Sequence, residues 1–134
     1  MHFLVPIDGS EAAFRAVEFA AKLAGGRDSK ITIFAVRQYI VGRHMVAAFL
    51  SMEEVDALLN KAKELAIAAG AKQVLAAQLD ARDVSHAIVS FADEHEVNLI
   101  VMGASGLGGF KAFLIGSIST EVLKKSICPV AIVH

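Results

Sequence analysis

Short apolar runs alternate with amphipathic segments along almost all of this 134-residue chain, a pattern that few folds accommodate. Residues 2–7 (HFLVPI) read as an apolar strand stopped by Asp8-Gly9-Ser10, and residues 31–36 (ITIFAV) as a second, rich in β-branched side chains. Residues 72–79 (KQVLAAQL) make a weaker third strand, Asn98–Met102 a fourth and Pro129–Val133 a fifth. The intervening segments carry helix signals. Ser10-Glu11 suits a helix start by hydroxyl cap and dipole, although Ala13 denies it a full capping box. Phe14, Val17, Ala21 and Leu23-Ala24 then recur near a 3.6-residue period until Gly25-Gly26 ends the run. A second helix runs from Met52 to Ala69, with Val55, Leu58, Leu59, Ala62, Leu65 and Ala66 on one face and Gly70 closing it. Asp83 caps a third through Glu96, with Val84, Ala87-Ile88 and Phe91 inward, and residues 117–126 form a fourth.

Strand–helix alternation implies a parallel sheet covered by helices on both faces. A content of 55% hydrophobic against 20% charged residues excludes disorder and fits strands buried on both sides. Right-handed crossovers leave few topologies. The expected fold is therefore a single α/β domain over residues 1–134, with a doubly wound, Rossmann-like, five-stranded parallel sheet in the order 3-2-1-4-5. In that order strands 1 and 4 are neighbours at the switch point, where ligands bind beyond the strand C-termini. Residues 37–50 (RQYIVGRHMVAAFL) are the exception, a long apolar connection with no clear period. They fit a second dimer surface, a lid over a ligand or a collapsed core segment equally well.

The loop after strand 4 carries the chemistry. In MGASGLGGFKAFLIGSIS (102–119), Gly103, Gly106 and Gly116-Ser117 stand in the spacing G-x2-G-x9-G-S. Glycine turns can aim consecutive backbone N–H groups at one anion, and Ser117 opens a helix whose unpaired amides and dipole favour phosphate. The reading is a nucleotide phosphate site. Asp8, after strand 1, converges on the same crevice; it either caps the first helix or contacts the ligand.

A net charge of −1 with interspersed signs offers no basic face for nucleic acid. No apolar stretch approaches a membrane span, and MHFLVPIDGS lacks a charged signal-peptide region. One cysteine, Cys128, cannot form an internal disulfide, which fits a cytoplasmic setting. The five histidines show no metal spacing, so no metal ligands are assigned.

Taken together, FLVPIDGSEAA, NLIVMG, the glycine spacing and SICPVAIV resemble the universal stress protein family in its nucleotide-binding branch, across essentially the whole chain. The resemblance implies a small α/β domain, usually dimeric, that binds ATP, ADP or AMP, with Mg2+ as an optional companion. Val5-Pro6 and Val36 would flank the adenine, and Asp8 would accept from ribose hydroxyls or help place a metal. Met102 and Gly103 would lie along the ribose, while Gly106, Gly116, Ser117, Ile118 and Ser119 would hold the phosphates. A homodimer through the edge strand 129–133 is implied as well.

The chain departs from the family pattern where charge is concerned. Leu107 and Ala112 stand at positions that are often basic, with Lys111 one residue earlier, and Ala81-Arg82-Asp83 replaces a Gly-x-Pro turn. That leaves room for AMP or ADP beside ATP. No Walker lysine and no His or Glu aimed at a γ-phosphate stand out, so no catalytic residues are assigned. The expected role is a nucleotide-responsive regulatory or protective protein. The rivals are a slow Mg-dependent ATPase and a dimeric interaction module that has lost its nucleotide.

Overall fold

Side chains on a strand alternate between faces, so a sheet apolar at consecutive positions must be covered twice. The computed structural model, which describes residues 1–26, 28–104 and 115–134, shows that arrangement. The elements run β1 (His2–Ile7), α1 (Glu11–Ala24), β2 (Lys30–Val41), β3 (Val46–Ala48), α2 (Met52–Ala68), β4 (Gln73–Ala81), α3 (Val84–Glu94), β5 (Leu99–Gly103), α4 (Ser117–Lys125) and β6 (Val130–Val133). The parallel strands lie in the order β4-β2-β1-β5-β6. This is the anticipated 3-2-1-4-5 path with one short strand inserted in the numbering.

The insertion corrects the reading of residues 37–50. They are not an aperiodic connection: β2 continues to Val41 and turns back as β3, pairing Tyr39 with Ala48 and Val41 with Val46 antiparallel. Gly42 N donates to Met45 O at 2.7 Å to close the turn. Most of this hairpin is exposed, so burial supplied little of the alternation by which a strand is recognised.

One core cluster packs Phe3, Val5 and Ile7 of β1 with Ile31 and Ile33 of β2 against α1 and α2. The other packs Leu4, Phe34, Ile100 and Met102 with Ile88 of α3 and Val122 of α4. Leu4 is wholly buried, and each such side chain contributes about 1.5–3 kcal/mol. α1 turns alanines inward (Ala12, Ala13, Ala16, Ala20, Ala21 and Ala24), which lets it sit close to the sheet.

Helix starts follow local chemistry. Ser10 Oγ accepts from Ala13 N at 3.1 Å. Ser51 and Glu54 form a full capping box on α2, a signal present in the sequence as S-x-x-E and overlooked there. Asp83 caps α3 through His86 N, but that helix stops at Glu94, where Glu96 takes a positive φ of 52°. On the α3–α4 side, His2 Nδ1 lies 3.1 Å from the carbonyl of His95, which can only accept. Nδ1 therefore carries the proton, and Nε2 accepts from the Thr32 hydroxyl at 2.7 Å.

Candidate functional site

β1 and β5 are hydrogen-bonded neighbours, and their C-terminal ends open onto a cavity of about 730 Å3. Three chain reversals build it. The turn after β1 needs Gly9 at φ +87°, and there Asp8 Oδ1 accepts from Ser10 N at 2.9 Å. This leaves Ser10 to cap α1 and Asp8 exposed at the cavity rim, so the capping alternative for Asp8 does not hold. The β2–β3 hairpin adds Gln38, Phe49 and Leu50, and the start of α4 closes the far side.

Pro6, Asp8, Val36, Met102, Gly103, Gly116, Ser117, Ile118 and Ser119 all line this one cavity. Val5 does not: it is fully buried in the core beneath α1. Gly106, along with Leu107, Lys111 and Ala112, lies outside the described residues. Sequence reasoning missed much of the apolar wall, notably Phe34, Phe49, Val84 and Ile88. Val84 and Ile88 were legible as the inward face of a helix but not as part of a site. The hairpin residues were legible only as an apolar stretch that fitted a ligand lid no better than a dimer surface or a core segment.

Several groups assigned to the ligand have structural duties. A Cβ on Gly103 would lie 2.6 Å from Ala12 C, so the glycine is required where β5 meets α1. Gly116 N donates to Ala104 O at 2.6 Å, and Gly116 O accepts from both the amide and the hydroxyl of Thr120. Ser119 is buried, and its hydroxyl donates to Gly103 O at 3.0 Å. No side chain among the described residues caps α4. The amides of its first turn at Ser117, Ile118 and Ser119 have no partner among the described residues, and the helix dipole lies behind them.

Asp8 is the only charged side chain among the described residues of the cavity wall. One of its oxygens is taken by Ser10 N, so it could give a divalent cation one carboxylate oxygen, with phosphate and water completing the shell. No group of three or more His, Cys, Asp and Glu side chains converges among the described residues. A second cavity of about 330 Å3 shares Gln38, Val84, Ser117 and Ile118 with the first and is also lined by Arg82, Asp83 and Glu121. The His86 amide and Ser85 hydroxyl hold the Asp83 carboxyl below the usual carboxylate range. Glu121 is ion-paired with Lys124 and Lys125.

Known proteins share this arrangement of elements. The model of the universal stress protein family matches residues 1–134. Universal stress protein YxiE of Bacillus subtilis is 32% identical, covering 98% of this chain and 97% of its own. Universal stress protein Rv1636 of Mycobacterium tuberculosis is 33% identical, covering 98% of this chain and 94% of its own. The crystal structure of a universal stress protein in complex with cAMP superposes with a TM-score of 0.79 at 28% identity, covering 100% of this chain and 96% of that one. The universal stress protein from Archaeoglobus fulgidus in complex with dAMP gives 0.73 at 25% identity, covering 100% and 98%. Sequence and fold agree over the full length: the chain belongs to the universal stress protein family.

Proposed function

We propose that residues 1–134 act as one adenine-nucleotide-binding domain whose ligand occupies the cavity between β1, β5, the β2–β3 hairpin and α4. One observation carries the reading. At the sheet's switch point, a cavity of about 730 Å3 joins an apolar wall, a carboxylate and an uncapped helix N-terminus. That is the sequence of environments along a nucleotide, from base to ribose to phosphate. Relatives in complex with cAMP and dAMP support the same ligand class.

In this reading Val36 and Pro6 flank the base, with Val5 behind them shaping the strand. Asp8 accepts from ribose hydroxyls, and Met102 and Gly103 lie along the sugar. The first-turn amides at Ser117, Ile118 and Ser119 bind phosphate, and Gly116 and Gly106 let the backbone come close. Among the described residues dipoles rather than side-chain cations meet the phosphate, with Lys111 in the loop outside them, so the site admits AMP and ADP as well as ATP. The role is binding, not turnover: a nucleotide-responsive regulatory or protective protein of the cytoplasm. Its homodimer forms through β6, an edge strand whose residues 130–133 stay partly exposed beside Ile127, itself 88% exposed.

Calorimetric titration of ATP, ADP and AMP, each with and without Mg2+, tests the reading on wild type and on Gly116→Val. Micromolar binding corresponds to about 8 kcal/mol, and the bulk of valine at the phosphate end should abolish it. Wild type that binds none of the three would overturn the nucleotide reading and leave the dimeric interaction module. Phosphate release from ATP that Asp8→Ala abolishes while binding persists would instead establish the slow ATPase.

A further inference from the structure

Among the described residues, two phenylalanines line the proposed nucleotide cavity, and they differ in what their rings already do. Phe34 is fully buried, and its ring is stacked on Phe91 with centroids 4.4 Å apart and planes 25° from parallel. Phe91 in turn stacks on His95 at 3.9 Å, so that column is closed within the fold. Phe49 is the opposite case. It forms part of the cavity wall yet is 66% exposed, leaving a large apolar ring in water beside an apolar chamber.

Its backbone is nonetheless anchored from several sides. Phe49 N donates to Gln38 O at 3.1 Å, immediately beyond the Tyr39–Ala48 pair. Gln38 Nε2 donates to Arg82 O at 3.2 Å, tying the hairpin root to the turn before α3. Two residues past Phe49, the Ser51–Glu54 capping box starts α2, and Leu50 between them packs against the core. A ring held at a cavity rim, with no stacked aromatic partner among the described residues, offers its face to something planar.

We infer that Phe49 is the base-stacking residue of the cavity, delivered by the β2–β3 hairpin and buried only when a nucleobase is bound. The inference rests on the nucleotide reading above and names the residue by which this chain grips the base rather than the phosphate. Stacking on an aromatic ring is tolerant of base identity but requires a base, so adenosine and AMP should both depend on Phe49. Ribose 5-phosphate, which lacks a base, should not.

The test uses Phe49→Ala and Phe49→Trp. Phe49→Ala should weaken AMP and adenosine by about tenfold, with any binding of ribose 5-phosphate changed less than twofold. The chain contains no tryptophan, so the indole of Phe49→Trp can be excited selectively beyond Tyr39, and saturating AMP should quench it. Because Phe49 is mostly exposed, both variants should melt within about 2 °C of wild type, which separates lost contact from lost fold. Wild-type AMP affinity retained in Phe49→Ala sinks the inference and leaves the nucleotide reading standing. So does Phe49→Trp fluorescence indifferent to AMP, or a variant altered in oligomer size but not in affinity. Failure of the wild type to bind any adenine nucleotide removes both.

Discussion

Replacing Gly103 with alanine is the sharpest perturbation this structure offers. The new Cβ would stand 2.6 Å from Ala12 C, 2.7 Å from Ala13 N and 2.8 Å from Ala12 Cβ, where ordinary contacts fall at 3.4–4 Å. Relief therefore requires moving the first turn of α1 off the end of β5 by roughly an ångström, since interiors are close-packed. Two of the three atoms are backbone and cannot rotate aside. Overpacking of this kind costs about 1–3 kcal/mol, and an immovable neighbour puts Gly103→Ala at about 3 kcal/mol. For a chain of this size that is a fall in melting temperature of roughly 10 °C. Thermal and urea melts of wild type, Gly103→Ala, Ala12→Gly and the double variant give the decisive comparison. Ala12→Gly removes only the Cβ contact and adds a helix penalty of about 1 kcal/mol, so the double variant should be no more stable than Gly103→Ala alone. A Gly103→Ala protein melting within about 2 °C of wild type would show that α1 and β5 tolerate the added methyl, as would full rescue by Ala12→Gly.

Two further outcomes are expected. Ser119→Ala removes the buried hydroxyl that donates to the part-buried Gly103 carbonyl and should cost about 1–2 kcal/mol in urea denaturation, while calorimetry finds AMP affinity within twofold of wild type; a large affinity loss at unchanged stability would make Ser119 a ligand contact instead. Burial lowers the pKa of His2 below 6.5, so the unfolded chain takes up this proton more readily than the folded one. Its stabilising effect is complete above about pH 6.5 and is lost as pH falls from there towards the lowered folded value. His2→Gln, which keeps hydrogen-bonding groups but does not titrate, should flatten that part of the stability–pH curve; an unchanged slope counts against the buried neutral imidazole.

Much of the architecture could be read locally because each element announces itself within a few residues. Ser10, Asp83, Gly25 and Gly70 mark helix ends, and the apolar runs 2–7 and 31–36 can only be strands covered on both faces. The hairpin was illegible for the complementary reason: Val46–Ala48 is three residues long and hardly buried, so pairing with Tyr39–Val41, not side-chain patterning, makes it a strand. The site divided in the same way. Asp8 and the Gly116-Ser117 helix start stood out because turns and helix N-termini have fixed chemistry. Phe49, Val84 and Ile88 did not, since nothing in a short stretch of sequence says that a hairpin ring and a helix face share a cavity.

By itself the sequence determined the α/β alternation, the doubly wound order and the position of the crevice, because periodicity, capping and crossover handedness are rules of short range or of topology. It also determined family membership, through motifs spread along the chain. Which polar groups near the crevice are already spent follows from the folded neighbours alone. Gly103 is a packing glycine, Gly116 N serves Ala104, Ser119 serves Gly103, and the first-turn amides of α4 have no partner among the described residues. A hydrogen-bond donor or a missing side chain has one meaning until its nearest neighbour in space is known, and those neighbours come from elements that the chain brings together only on folding.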